Sequence, residues 1–131
     1  MQLNQVKALV TGGVSGLGLA TVKYILENGG NAVMLDVNDE AGAAAAAETG
    51  ARYLNTDVTS EEKVIESARQ AAETMGGLNA AVNCAGIIGA GRVLGREAPM
   101  PLSLFATTIN INLVGSFNVA KAAADLMQHN E

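Results

Sequence analysis

The 131-residue sequence is short of most groups that brace small secreted proteins or build metal centres. Its one cysteine, Cys84, excludes an internal disulfide, and no Cys/His spacing suits a metal, so a reducing compartment without a structural metal is expected. The single histidine, His129, lies near the C-terminal end. Tryptophan is absent and aromatics total 3%, so a core must use small and β-branched side chains, which let helices lie close to a sheet. Eight Lys and Arg stand against thirteen Asp and Glu, for a formal charge of −5, and the cations do not cluster. That balance excludes a basic face for a phosphate backbone, so nucleic acid is not an expected partner. No apolar run approaches the ~18 residues of a membrane span, and Met1-Gln2-Leu3-Asn4-Gln5 lacks the regions of a signal peptide. A cytoplasmic chain with no membrane partner is the expectation.

What remains is 49% hydrophobic and rich in Ala and Gly, enough to line the core of one layered α/β domain. Val6-Lys7-Ala8-Leu9-Val10-Thr11 is a short, mostly apolar run ending at glycines, as expected of a strand covered on both faces. A glycine-rich turn from Gly12 to Gly18 follows, and from Leu17 to about Asn28 the residues Ala20, Tyr24 and Ile25 recur at helical spacing. Asn31 to Asp36 repeats the buried-strand pattern. The Ala-rich run from Asp39 to about Thr49 favours helix, with Gly50 as its stop, and Ala51 to Leu54 is a weaker strand. Thr59-x-x-Glu62 has capping-box spacing, and Val64, Ile65, Ala68, Ala71, Ala72 and Met75 form one apolar face before Gly76-Gly77. Leu78 to Cys84 reads as a fourth strand and Gly86 to Pro101 as irregular. Ile109, Leu113, Phe117, Ala120, Ala124 and Met127 mark one face of a long last helix, from Ser103 to about Gln128. This alternation predicts a doubly wound parallel sheet with right-handed crossovers and helices on both faces.

The segment most suggestive of chemistry is Thr11-Gly12-Gly13-Val14-Ser15-Gly16-Leu17-Gly18, between a strand and a helix. A diphosphate there needs close approach to the backbone and the open N–H groups of a helix N-terminus, and glycine permits both. The spacing Gly12-x-x-x-Gly16-x-Gly18 differs from the G-x-G-x-x-G dinucleotide fingerprint, and a plain tight turn is its other reading. Asp36 ends the second strand, where a carboxylate can accept hydrogen bonds from both hydroxyls of an adenosine ribose. A 2′-phosphate would meet like charge there, with neither Val14 nor Val37 supplying a cation, so NAD is the expected cofactor. Alternatively, Asp36 merely starts a turn or caps the next helix.

With these motifs in order, the sequence resembles the N-terminal half of a short-chain dehydrogenase/reductase, over essentially all 131 residues. The glycine motif is matched by Gly12, Ser15, Gly16, Leu17 and Gly18, the adenine-pocket Asp by Asp57-Val58, and the Asn-Asn-Ala-Gly strand end by Asn83-Cys84-Ala85-Gly86. The resemblance implies a Rossmann-like domain that transfers hydride between nicotinamide cofactors and alcohols or carbonyls. It implies that Asp57 faces the adenine amino group, and that Asn83, Ala85 and Gly86 run beside the cofactor's ribose. Cys84 departs from the usual second Asn; burial as a small hydrophobe is the expectation, with no redox role. Asn112 matches the asparagine that kinks the family's helix and holds a relay water. Its plain reading is an exposed or helix-bonded Asn, with Asn110 and Asn118 as neighbours of no assigned role. Thr11 to Thr21, Asp57 to Glu61, Ala81 to Gly86 and Gly115 to Val119 further resemble the type 2 3-hydroxyacyl-CoA dehydrogenase subgroup, implying an acyl-CoA-type substrate.

The family's catalytic serine and Tyr-x-x-x-Lys pair have no match here. The only tyrosines, Tyr24 and Tyr53, are followed four residues on by Asn28 and Asp57. The expectation is an NAD-binding half-domain over residues 1–131, truncated after the fourth strand and its following helix. In the family's strand order the fourth strand would be an open edge, and the long helix would lack its dimer-face neighbour, so a homo-oligomer is expected. The intact parent is expected to oxidise a secondary alcohol, by resemblance 3-hydroxyacyl-CoA, while this chain alone is inactive. The alternatives are a non-catalytic NAD-binding or assembly module, or a fragment without function.

Overall fold

A computed structural model describes residues 1–130. Four strands, β1 (Lys7–Thr11), β2 (Asn31–Asp36), β3 (Arg52–Asn55) and β4 (Ala80–Asn83), form one parallel sheet in the order β3-β2-β1-β4. Between them run α1 (Gly16–Glu27), α2 (Asp39–Thr49) and α3 (Glu61–Met75). The expected Rossmann-like layering is therefore present. Thr11 stands beside Leu35 and Asn83, and Asp36 beside Asn55, which brings the C-terminal ends of all four strands to one edge.

Alternate residues of β1 and β2 are buried on opposite sides, which is why these runs read as continuously apolar. Leu9, Val33 and Leu35 pack with Val64, Ala68 and Ala71 of α3. Val10 and Met34 pack on the other face with Val22 and Ile25 of α1 and Ala45 of α2. Small residues bring these layers close: a Cβ on Gly42 of α2 would stand 2.5 Å from the Tyr53 ring.

Several boundaries and faces differ from expectation. On α1 the buried residues are Gly18, Val22 and Ile25, while Ala20 and Tyr24 face solvent. The cap of α3 is Ser60, whose hydroxyl accepts from Lys63 N; Thr59 instead donates to the Asp57 carboxylate, so the Thr59/Glu62 box does not form. The strands β3 and β4 begin one and two residues later than their apolar runs. Gly50 and Gly76 do end their helices in the left-handed region, at φ 73° and 66°.

The last helix is continuous but not uniform. It comprises α4 (Leu102–Ile109), a π-helical stretch (Asn110–Gly115) and α5 (Ser116–Met127). Val119, Ala122 and Ala123 pack on the α3 side of the core, and Lys121 pairs with Glu61 of α3. The row Ile109, Leu113, Phe117, Ala120 and Ala124 faces solvent instead. Its period is helical, but the buried side is set by the smaller Gly115, Ala122 and Ala123, which permit close contact. The run Leu102–Met127 is also long and apolar enough, by length and composition, to cross a membrane. This corrects the expectation that no segment approaches that length. Thr107, Asn110, Asn112, Ser116 and Asn118 break the apolar sequence without lowering its average below that of a span.

Candidate functional site

Beyond the C-terminal edge of the sheet, where β1 is flanked by β2 on one side and β4 on the other, lies a cleft of about 650 Å³. Connections leave to opposite sides at this point, and parallel sheets characteristically open a ligand crevice there. Gly12, Ser15, Gly16, Leu17 and Gly18 line one wall, Asp36, Asp57 and Val58 another, and Asn83, Ala85 and Gly86 the third. Cys84 joins them, half-buried. The structure thus gathers eleven of the twelve sequence-identified residues and leaves Asn112 outside the lining.

The glycines serve different purposes. Gly12, at φ 61°, lies so close to the end of β4 that a Cβ would stand 2.8 Å from Ala85 N and from Cys84 C and O. Gly18 is buried against the Gly12 carbonyl, which lets α1 start directly on the turn. Of the glycines lining the cleft, Gly16 alone, at φ 50°, combines a left-handed backbone with open space where its Cβ would project. Close packing of the chain on itself therefore explains Gly12 and Gly18, and access to the cleft explains Gly16. The α1 N-terminus carries no side-chain cap, because Ser15 does not bond back to it; its first N–H groups are left for another acceptor.

The only charged residues of the lining are Asp36 and Asp57. Asp36 Oδ1 accepts from Val37 N at 2.8 Å and Asn38 N at 3.2 Å, which fixes the carboxylate. Asp57 Oδ1 accepts from Thr59 N at 2.9 Å and Thr59 Oγ1 at 2.7 Å. Each carboxylate keeps its second oxygen for a ligand, so the cleft suits donors such as hydroxyl or amino groups and opposes added negative charge.

Asn112 sits in the π-helical stretch and acts from behind the wall. Its Oδ1 accepts from Ile87 N and its Nδ2 donates to Ile87 O, both at 2.9 Å, so the amide holds the loop after β4 as a neighbouring strand would. Asn112 is exposed, as one plain reading expects, but its amide bonds the loop after β4 and not its own helix. Wider π turns re-aim side chains at such places.

Three supports were not identified from the sequence. Buried Thr11 accepts at Oγ1 from Cys84 N and Ala85 N, each at 3.2 Å, locking the end of β1 to the β4 loop. Buried Thr56 and Ser67 share a 2.8 Å hydroxyl bond that ties the approach to Asp57 to α3. Buried Asn118 donates to Val58 O at 2.9 Å, beside Gly115, whose Cβ would stand 2.5 Å from Val58 Cγ2. For Asn118, a polar residue on the buried side of an otherwise small-residue helix face is the available signal. Thr11, at the end of an apolar strand, and Thr56, between Asn55 and Asp57 just past β3, give none.

The model of the short chain dehydrogenase family matches residues 6–131. This chain belongs to that family. Among its short-chain dehydrogenase relatives, 3-hydroxyacyl-CoA dehydrogenase type-2 of Bos taurus is 41% identical over 128 residues, covering 95% of this chain and 49% of that protein. A 2,5-dichloro-2,5-cyclohexadiene-1,4-diol dehydrogenase of Sphingobium indicum is 40% identical over 83% of this chain and 43% of its own length. Of solved structures, 3-hydroxyacyl-CoA dehydrogenase type-2 from Mycobacterium avium superposes with TM-score 0.88 at 35% identity, covering 98% of this chain and 51% of that one. An NAD+-bound xylitol dehydrogenase superposes at 0.85 with 37% identity, over 95% and 48%. The chain spans about half the length of the curated relatives it matches.

Proposed function

We propose that this chain forms the adenosine and diphosphate side of an NAD site, within a dehydrogenase that moves hydride between NAD and a secondary alcohol. The observation that carries the reading is the cleft that joins an uncapped α1 N-terminus, Gly16 and two fixed carboxylates, with no cation among its lining residues. The diphosphate would lie on the α1 N–H groups at Gly16 and Leu17, the ribose diol on Asp36 and the adenine amino group on Asp57. NAD, when bound, supplies the hydride acceptor.

The residues that would handle the alcohol proton are not among these 131. Tyr53 is unsuited to it: burial and its bond to Asp39 push the hydroxyl up to about 12, away from the range of a general base at neutral pH. Tyr24 is exposed on α1 and has Asn28, not Lys, four residues on. Oxidation of 3-hydroxyacyl-CoA therefore belongs to an intact parent, supported by the type-2 relatives, and this chain alone is expected to show no turnover. Asn112 would act there by holding the β4 loop.

The solvent-facing row Ile109, Leu113 and Phe117 supports a second reading, assembly with another copy of this chain or of the parent. Titration with NAD and NADP by calorimetry tests the first reading. Preference for NAD, relaxed by Asp36→Ala, is expected; an equal response to both cofactors removes Asp36 from the ribose role. Sedimentation tests the second.

A further inference from the structure

The turn that bears Asp36 is fastened by two side chains of β3 for which the cofactor reading has no use. Tyr53 Oη donates to the Asp36 carbonyl at 3.1 Å and to Asp39 Oδ1 at 2.9 Å. Asn55 Nδ2 donates to the same Asp39 oxygen at 2.8 Å and to the Val37 carbonyl at 3.3 Å. Every backbone carbonyl or carboxylate so engaged belongs to residues 36–39, and the Asp36 carboxylate is oriented by two N–H groups of that same short stretch. The ring of Tyr53 has its own seat. Gly42, a poor residue for a helix interior, leaves the space that the ring fills, since a Cβ there would stand 2.5 to 2.6 Å from three ring atoms.

We infer that Tyr53 and Asn55 are positioning residues that set this cleft's preference for an adenosine ribose with a free 2′-hydroxyl over one carrying a 2′-phosphate. The inference rests on the NAD reading above and concerns what makes Asp36 selective. A carboxylate discriminates between a diol and a phosphate only if it cannot swing away: held still, it accepts from the hydroxyls and repels the phosphate. If the turn slackens, both effects fade together, so affinity for the diol falls while affinity for the phosphate rises. Asp39 is the shared acceptor of this clasp, and hydrogen bonds from Asn55 and then Tyr53 hold its carboxyl below the usual carboxylate range.

The test measures the affinities of ADP-ribose and 2′-phospho-ADP-ribose by calorimetry for the full chain, Tyr53→Phe and Asn55→Ala. Thermal midpoints are measured in parallel. Tyr53→Phe keeps the ring in the Gly42 seat and removes only the hydroxyl. The expected result is that the unmodified chain prefers ADP-ribose, and that each variant shrinks the preference by about threefold to tenfold, the loss of one hydrogen bond to a carboxylate and one to a backbone carbonyl. A preference unchanged in both variants overturns the inference and leaves the NAD reading standing. So does an equal weakening of both ligands, which would make these residues supports of the fold alone. An unmodified chain that binds neither compound, or prefers the phosphate, overturns the NAD reading as well. Should Tyr53→Phe fail to fold, Asn55→Ala, at an exposed strand position, decides the matter.

Discussion

Residues 6–82 and residues 87–117 spend apolar side chains in opposite ways. In the first region Leu9, Val10, Val33 and Met34 are fully buried, because helices cover both faces of the sheet. In the second, Ile88 is 95% exposed, Leu102 77%, Leu113 63% and Phe117 67%. The residue types are similar, and the row Ile109, Leu113, Phe117 is as regular as the buried faces of α1 and α3. What differs is the presence of a second layer. A helical period therefore identifies a stripe without identifying what covers it, and only a contact partner turns a stripe into a core.

The sharpest test of this contrast is a matched pair of truncations. Leu9→Ala empties a site packed against Val64, Ala68 and Val119, and is expected to lower unfolding free energy by about 2–5 kcal/mol. That is a large part of the ~5–15 kcal/mol available to an ordinary domain. Phe117→Ala removes a larger side chain yet is expected to change it by roughly 0.5 kcal/mol or less. Urea denaturation followed by circular dichroism measures both; comparable losses would abolish the distinction between the regions.

Asn118 marks the border between them and is expected to have the next largest effect. It lies one residue beyond exposed Phe117, yet is buried and holds Val58 O. Asn118→Ala leaves that carbonyl without its donor and is expected to cost about 1–3 kcal/mol. Because Val58 lines the cleft, NAD affinity should fall as well; full affinity with lowered stability would confine Asn118 to the fold. Replacing both Leu113 and Phe117 with Ser should leave unfolding nearly unchanged, within roughly 0.5 kcal/mol, while moving the chain toward monomer in sedimentation velocity. Association that persists would point to the open edge of β4 as its cause.

The same contrast explains what could be read in advance. The layered fold was legible because β1 and β2 are mostly apolar and α2 and α3 stop at glycines, signals that are local. The turn from Gly12 to Gly18 and Asp36 were legible because turn chemistry and strand ends are local too, whereas Asp57, Val58, Asn83, Ala85 and Gly86 came from the family resemblance. Asn112 was recognised from its motif, but its grip on Ile87 required the loop after β4 to fold back on the helix, 25 residues away in sequence. Thr11, Thr56 and Asn118 were missed for that reason: each matters through hydrogen bonds to another element or to a distant part of the chain. The exposed row on the last helix was legible as a row, whereas its outward direction depended on the small residues of the opposite side.

The smallest expected effect concerns the turn at Asp36, where the well-packed region meets solvent. Tyr53 titrates late first because its hydroxyl is partly withdrawn from water and next because it donates to Asp39, whose negative charge also opposes tyrosinate; Asn55 partly offsets these. Its hydroxyl is pushed up to about 12 from an ordinary 10.0, so the fold favours the neutral form. The resulting stabilisation is fully present below the ordinary value and is lost as pH rises through about 12. Asp39 has the opposite sign: its lowered value gives a contribution present above 3.8 and lost as pH falls below it. The clasp is therefore intact across the neutral range and fails at both ends. Ultraviolet titration should show less tyrosinate in the folded chain than in concentrated urea at about pH 11, where an ordinary phenol is mostly ionised. Tyr53→Phe removes the late-titrating hydroxyl and should shrink that difference most, and Asp39→Asn should shrink it less, since the neutral amide removes the charge that opposes ionisation. If the folded and unfolded curves coincide, the Tyr53–Asp39 bond is not maintained in solution, and the Asp36 turn belongs with the exposed region, not the packed one.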